Sequence, residues 1–196
     1  MALKLLGQLD LKRCPHCGVD SPMLTLSAQA QTKNFDNSIA RVWGFYACKR
    51  CGRIVTASAV QMNQDVIDLF PKSQSVDESV PEKPKEYLTQ AINSRSAPAG
   101  AVMLTASAVD AMLKSKGYSD GSLYKRIEKA VEDHVITPEM ARWAHEVRLD
   151  ANDQRHADEA ASLPTAHDAD RVIDFALALA QLLFVLPAKI EIGLQG

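Results

Sequence analysis

Four cysteines fall in two matched phrases, CPHCG at residues 14–18 and CKRCG at 48–52, and the rest of the 196-residue chain has none. Two residues between cysteines let one tight turn aim both sulfurs at a single ion. The glycine that follows supplies the left-handed backbone such a turn needs. Two such pairs 30 residues apart fit a tetrahedral four-thiolate zinc site built from Cys14, Cys17, Cys48 and Cys51, with one ion per chain. Thiolates then fill every coordination position, so the site is closed and structural rather than catalytic. A disulfide pair, or four unpaired core thiols, is the other reading of the same residues. His16 sits inside the first knuckle as a bystander rather than a ligand.

A second group with chemical potential lies in TPEMARWAHEVRLDANDQRHADE, residues 137–159. No Gly or Pro follows Pro138, so a helix is expected to run through to about Asp158. At about 100° per residue, Met140, Trp143, Ala144, Val147 and Ala151 share an apolar face. His145, Arg148, Asn152 and His156 fall in one stripe on the opposite side, with Arg155 at its edge. A guanidinium in such a row can grip a phosphate by a forked contact. An imidazole titrates near working pH and can act as general base or acid, so His156 is a candidate catalyst, with Asn152 orienting it or the substrate. The stripe points away from the protomer's own core, so a dry site there calls for a second subunit. The alternative is a solvated helix face, with His156 and Arg155 paired to Asp153 or Asp158. Asp110 stands at the edge of an earlier apolar stripe, either as a buried acid completing the site or as a surface carboxylate.

The elements that must hold these groups differ in kind. Before residue 62 the texture is β: residues 23–31, 39–48 and 53–60 are short, rich in β-branched or aromatic residues, and separated by Asn34, Asp36, Asn37 and Ser38. GQLDLKRC offers a further short strand. Residues 1–62 are therefore assigned to a zinc ribbon, which is too small to be stable on apolar burial alone and draws folding free energy from the ion. Lys12, Arg13, Lys49, Arg50 and Arg53 flank the knuckles, and Arg41, Trp43, Phe45 and Tyr46 share one strand. That surface either grips a nucleic-acid strand or packs its aromatics on the rest of the chain. Residues 63–84, ending in the proline- and serine-rich FPKSQSVDESVPEKP, read as a linker.

Residues 85–196 are helical. A first helix follows Pro84. A second runs from near Pro98 to Lys116, with Val102, Ala106, Val109 and Leu113 in register and Gly117 to stop it. A third begins at Ser122 and carries Leu123, Ile127, Val131 and then Val135. The fourth starts at the cap Thr137 with Pro138 and Glu139 in its first turn. The last starts from Thr165, with Asp168 three residues on, and ends before Pro187. It is apolar nearly all round from Phe175 to Leu186 and should be the buried centre of a bundle. The fold class expected is α+β, a small β zinc ribbon followed by an all-α bundle of about five helices.

Composition bounds the function. The net charge is −2, so there is no global basic field to draw nucleic acid, and any such contact needs a local patch. MALKLLGQLDLK lacks the apolar core of an export signal. The longest apolar run, Phe175 to Leu186, is short of the roughly 20 residues needed to span a bilayer. A cytoplasmic location without membrane contact is expected, with thiols reduced unless a metal holds them.

The stretch from about Pro81 to Ile192 resembles the bacterial and phage family called domain of unknown function four-one-four-five (DUF4145). AVDAMLKSKGY, LYKRIEKAVEDHVITPEM, VRLDANDQRH and DFALALAQLLFVLP carry the likeness, and the spacing of Arg148, Asn152 and His156 is its most family-like part. Members often carry an N-terminal zinc ribbon. The family is similar to the HEPN superfamily of helical bundles, which are often dimeric; many are metal-independent ribonucleases of toxin and phage-defence systems, and others are non-catalytic. The resemblance implies that Arg148 and His156 match the HEPN arginine and histidine and that Asp110 matches an acid on the second helix. Seven residues separate Arg148 from His156, more than the HEPN nuclease pattern has, and Ala151 and Ser107 stand where the family often has glycine and a basic residue. The expected function is thus a nucleic-acid-associated accessory or defence-type protein, a homodimer that binds or cleaves RNA or binds DNA. The alternative is a non-catalytic protein–protein interaction module with a structural zinc.

Overall fold

The computed structural model describes residues 2–72, 74–156 and 162–195, in two compact units, Met1–Gln74 and Ser75–Gly196. The first is a four-stranded antiparallel sheet in the order β1-β2-β3-β4, built from β1 (Leu24–Lys33), β2 (Ala40–Cys48), β3 (Ile54–Ala59) and β4 (Asp68–Phe70). The segment before it adds no full strand, only isolated bridges that pair Lys4 with Asp65, Gln8 with Thr25 and Arg13 with Asp20, yet it buries Leu5 and Leu9.

Strand alternation sorts the aromatics of β2 onto different faces. Tyr46 is fully buried with Leu5, Leu9, Leu24 and Val55, and its hydroxyl donates to the carbonyl of Leu6 at 2.7 Å. Trp43 and Phe45 lie on the other face, where Trp43 stacks with Phe70, ring centroids 6.5 Å apart. The single aromatic surface expected from Arg41 to Tyr46 is therefore divided. Gly44 is needed here, because a Cβ would sit 2.6 Å from the Tyr46 ring.

Strand β4 lies within the stretch expected to be linker. Three residues carry no readable period, and pairing with β3 makes the strand: Asp68 opposes Ser58 and accepts the Ser58 hydroxyl at 2.7 Å.

The second unit is a helical bundle of α1 (Glu82–Asn93), α2 (Pro98–Ser115), α3 (Leu123–Glu132), α4 (Pro138–His156) and α5 (Ala166–Ala180), which passes through a π-helical turn, Gln181–Val185, into α6 (Leu186–Leu194). Helix α1 starts before Pro84 rather than after it, since a proline in the first turn removes no helical hydrogen bond. Helices α2 and α5 are the most buried. Val102, Val109, Met112 and Leu113 of α2 meet Val172, Phe175, Ala176 and Leu179 of α5 in one core. Thr165 and Asp168 form the reciprocal capping box that starts α5.

The last helix does not end before Pro187. It is continuous over Ala166–Leu194, 29 residues. The π turn directly before Pro187 loosens the hydrogen-bond ladder where the proline ring would otherwise crowd the preceding turn. By length and composition this helix is long and apolar enough to cross a membrane, while its residues Val172 to Val185 contribute to the bundle core.

Candidate metal centre and arginine-lined pocket

The metal centre is assembled from two knuckles of the same design. Gly18 and Gly52 have φ of 69° and 71°, and their amides return to the carbonyls of Cys14 at 2.9 Å and Cys48 at 2.8 Å. This folds each cysteine pair around one point. All four Sγ atoms lie within 4.8 Å of one another, with Cys14 and Cys51 at 4.0 Å. Four thiolates bound tetrahedrally at about 2.3 Å stand about 3.8 Å apart, so the donor set fits one metal ion. His16 faces away from this role, its Nε2 hydrogen-bonded to the carbonyl of Ile54 at 2.8 Å, which ties one knuckle to the other. Burial pushes the bare Cys14 thiol up to about 12. Cys48 goes down: burial opposes the shift, but the backbone N–H groups of Cys51 and Arg50 donate to its sulfur. Those amides favour the charged form that a metal requires.

The second site lies between α2, α3 and α4. A cavity of about 340 Å³ is lined by Ser107 and Asp110 from α2, Ser122 and Arg126 around the start of α3, and Arg148, Asn152 and Arg155 from α4, over a floor of Ala106, Leu123 and Ala151. The sequence logic is visible in each element. Ala106 and Ala151 are buried small residues that let the helices approach, and the polar neighbours along each helix then converge on the gap. Ser122 caps α3, so the positive end of that helix also opens toward the cavity.

Asp110 is not a free acid. Its Oδ1 receives Arg126 Nη1 at 2.6 Å and its Oδ2 receives Lys114 Nζ at 2.6 Å. Arg126, only 11% exposed, also donates Nη2 to the Ser119 carbonyl at 2.9 Å. Its guanidinium is thus pinned from two sides. Arg148 is held differently. Its Cζ lies 5.6 Å from the Tyr124 ring centroid, and its buried Nε has no hydrogen-bond partner among the described residues. One carboxylate, already paired twice, faces three guanidiniums, which leaves the cavity with a surplus of positive charge.

The stripe of α4 is therefore divided. Arg148, Asn152 and Arg155 line the cavity together with Asp110. His145 instead packs on α3, its Nε2 2.8 Å from Glu128 Oε1 and its ring stacked on Tyr124 at 4.8 Å. His156 is exposed and is not among the lining residues. The expected continuation of α4 to Asp158 lies outside the described residues. The expectation that only a second subunit could wall this stripe is corrected, because α2 and α3 of the same chain already do so. Arg126 escaped sequence reading. It stands three residues after Leu123 and beside buried Ile127, and the turn through Gly117 and Gly121 folds α3 back on α2. A cation on the inner edge of an apolar stripe, sixteen residues beyond Asp110, was the available signal.

A family model described as a domain of unknown function (DUF4145) matches residues 87–193, a span that includes every residue lining the cavity. No curated protein and no solved structure matches the chain.

Proposed function

The chain belongs to the DUF4145 family through residues 87–193, and on that premise we propose that the arginine-lined cavity binds a phosphate of nucleic acid, the protein serving as a nucleic-acid-associated accessory or defence-type factor. The observation that carries this is the cavity wall: Arg148 and Arg155 line it together, beside a carboxylate whose charge is already met by Arg126 and Lys114. A phosphate takes a forked contact from such guanidiniums. Asn152 orients the ligand at the rim, and Arg126 stays with Asp110 as the fixed wall. Recognition is local, in keeping with the chain's slightly negative net charge.

The four cysteines hold zinc as a structural ion in this reading. An all-thiolate, closed, four-coordinate set suits zinc, and it offers no open position for a substrate. A homodimer would bring two copies of Arg148, Asn152 and His156 into one assembly. Cleavage is a narrower form of the proposal, in which His156 takes the proton of an RNA 2′-hydroxyl while Arg148 stabilises the charge on phosphorus. The exposed position of His156 outside the cavity lining favours binding over cleavage.

Binding of a labelled single-stranded RNA to the full chain, followed by anisotropy across a salt series, tests the reading. Arg148→Ala is expected to weaken binding about tenfold or more, and Arg155→Ala to reduce the salt slope by about one. RNA binding untouched by both substitutions overturns it. Cleavage of a mixed RNA pool that disappears in His156→Ala would establish the enzymatic form, and a stable protein complex without RNA binding would point to the interaction module instead.

A further inference from the structure

Tyr124 is placed oddly for a residue in the first turn of a packed helix. It is 48% exposed, yet its ring is backed by two side chains from one neighbouring helix. His145 stacks on it at 4.8 Å with 30° between planes, and Arg148, one turn further along α4, lies 5.6 Å from its centroid. Both supports come from α4, and about half of the residue remains open to solvent. The support is itself fixed: His145 Nε2 bonds Glu128 Oε1 at 2.8 Å, and its Nδ1 is buried without a partner among the described residues, so the imidazole is packed rather than free to rotate away. His145, which the cavity does not use, thus has a role in holding an aromatic ring in place.

We infer that Tyr124 is a stacking platform for an unpaired base, so that the ligand of the neighbouring cavity is a single-stranded nucleic acid. This rests on the phosphate reading of the cavity. Arg148 links the two features, since the same guanidinium lines the cavity and contacts the ring. A phosphate held by Arg148 leaves the base of the same or the adjacent nucleotide within reach of Tyr124. Every base offers a π face, so such a platform selects unpaired strands without reading sequence. A duplex keeps its bases stacked on one another and cannot use it. A cation over the ring draws on its π density and helps to hold the platform in place.

The test compares a short single-stranded RNA with an abasic strand of the same length and backbone charge, using the full chain. The wild type is expected to bind the base-bearing strand about tenfold more tightly than the abasic one. Tyr124→Ala should erase that preference, and Tyr124→Trp should preserve it. Arg148→Ala should weaken both strands. Equal binding of the two strands by the wild type, or a preference that survives Tyr124→Ala, overturns the platform while the phosphate reading stands. A duplex that outcompetes the single strand also overturns it. Abasic binding that is indifferent to Arg148→Ala sinks the phosphate reading instead, and no binding to either strand sinks both. Circular dichroism of Tyr124→Ala and Tyr124→Phe separates loss of stacking from loss of fold, because the phenyl ring keeps the platform.

Discussion

The two units hold their polar groups in opposite ways. In the sheet unit, four side chains converge on a point that a single ion would fill completely, and the surrounding backbone closes over them. In the helical unit, three guanidiniums and a carboxylate surround a space that remains open, and one buried guanidinium nitrogen has no partner among the described residues. A closed centre stabilises a fold, whereas an open, under-satisfied one is suited to a ligand. The motif most easily recognised in the chain is therefore the one that says least about its task.

The sharpest break of this comparison is metal removal. The sheet unit buries only nine residues in its core cluster, and a bound structural zinc contributes on the order of 10 kcal/mol to folding such a domain. Chelation, or Cys14→Ser, is expected to unfold the sheet while the helical signal at 222 nm persists, because the bundle has its own core. Metal analysis should find about one ion per chain before chelation. Helices that melt together with the sheet would mean that the two units are not separate in energy.

Smaller changes probe each unit alone. Gly44→Ala forces a methyl against the ring of Tyr46, whose hydroxyl is anchored on Leu6, and should cost about 2 kcal/mol, read as a lower midpoint for the sheet only. In the bundle, Arg126→Ala leaves Asp110 in a part-buried place with Lys114 alone, at about 2 kcal/mol by denaturant titration. Arg148→Ala removes no ion pair among the described residues, only the contact with the Tyr124 ring, and should leave that midpoint within about 1 kcal/mol while weakening RNA binding. Equal loss of stability in both arginine variants would erase the distinction between wall and ligand site.

What could be read in advance follows the range of the interactions. The cysteine knuckles, the helix starts at Ser122 and Thr165 and the apolar registers of α2 to α5 are local, within a few residues, and their spacing was legible. The face that Arg148 presents was not. Helical periodicity separates an apolar side from a polar one, but it does not show that α3 packs across the polar side of α4 and turns Arg148 and Asn152 toward Asp110. The same limit hid Arg126, whose partner is sixteen residues away, and put Tyr46 on a surface with Trp43 although alternation sends it inward. The course of the last helix through Pro187 depended on a π turn that no residue pattern marked.

Asp110→Asn asks whether the carboxylate belongs to the wall or to the chemistry. As part of the wall it is already paired with Arg126 and Lys114, and its amide replacement removes a negative charge from a cavity meant for anions. RNA binding should then tighten about two- to fivefold at low salt, an effect that fades as salt rises. Weaker binding with an unchanged fold would make Asp110 a direct ligand contact.

A further effect is expected at the start of α5. Asp168 is held below the usual carboxylate range because the Thr165 backbone amide and hydroxyl both donate to it. A carboxylate depressed in the folded state contributes stability that is present above its unfolded value and is lost as pH falls through the folded one. Bundle stability should therefore decline on the acid side of pH 4, and Asp168→Asn should flatten that part of the curve at a cost of about 1 kcal/mol at neutral pH. The sheet unit has no part in this contact, so its unfolding midpoint should not follow the substitution. A shift of both midpoints would show that the start of α5 is coupled to the sheet unit, and the contrast between a closed clasp and an independent open bundle would have to be withdrawn.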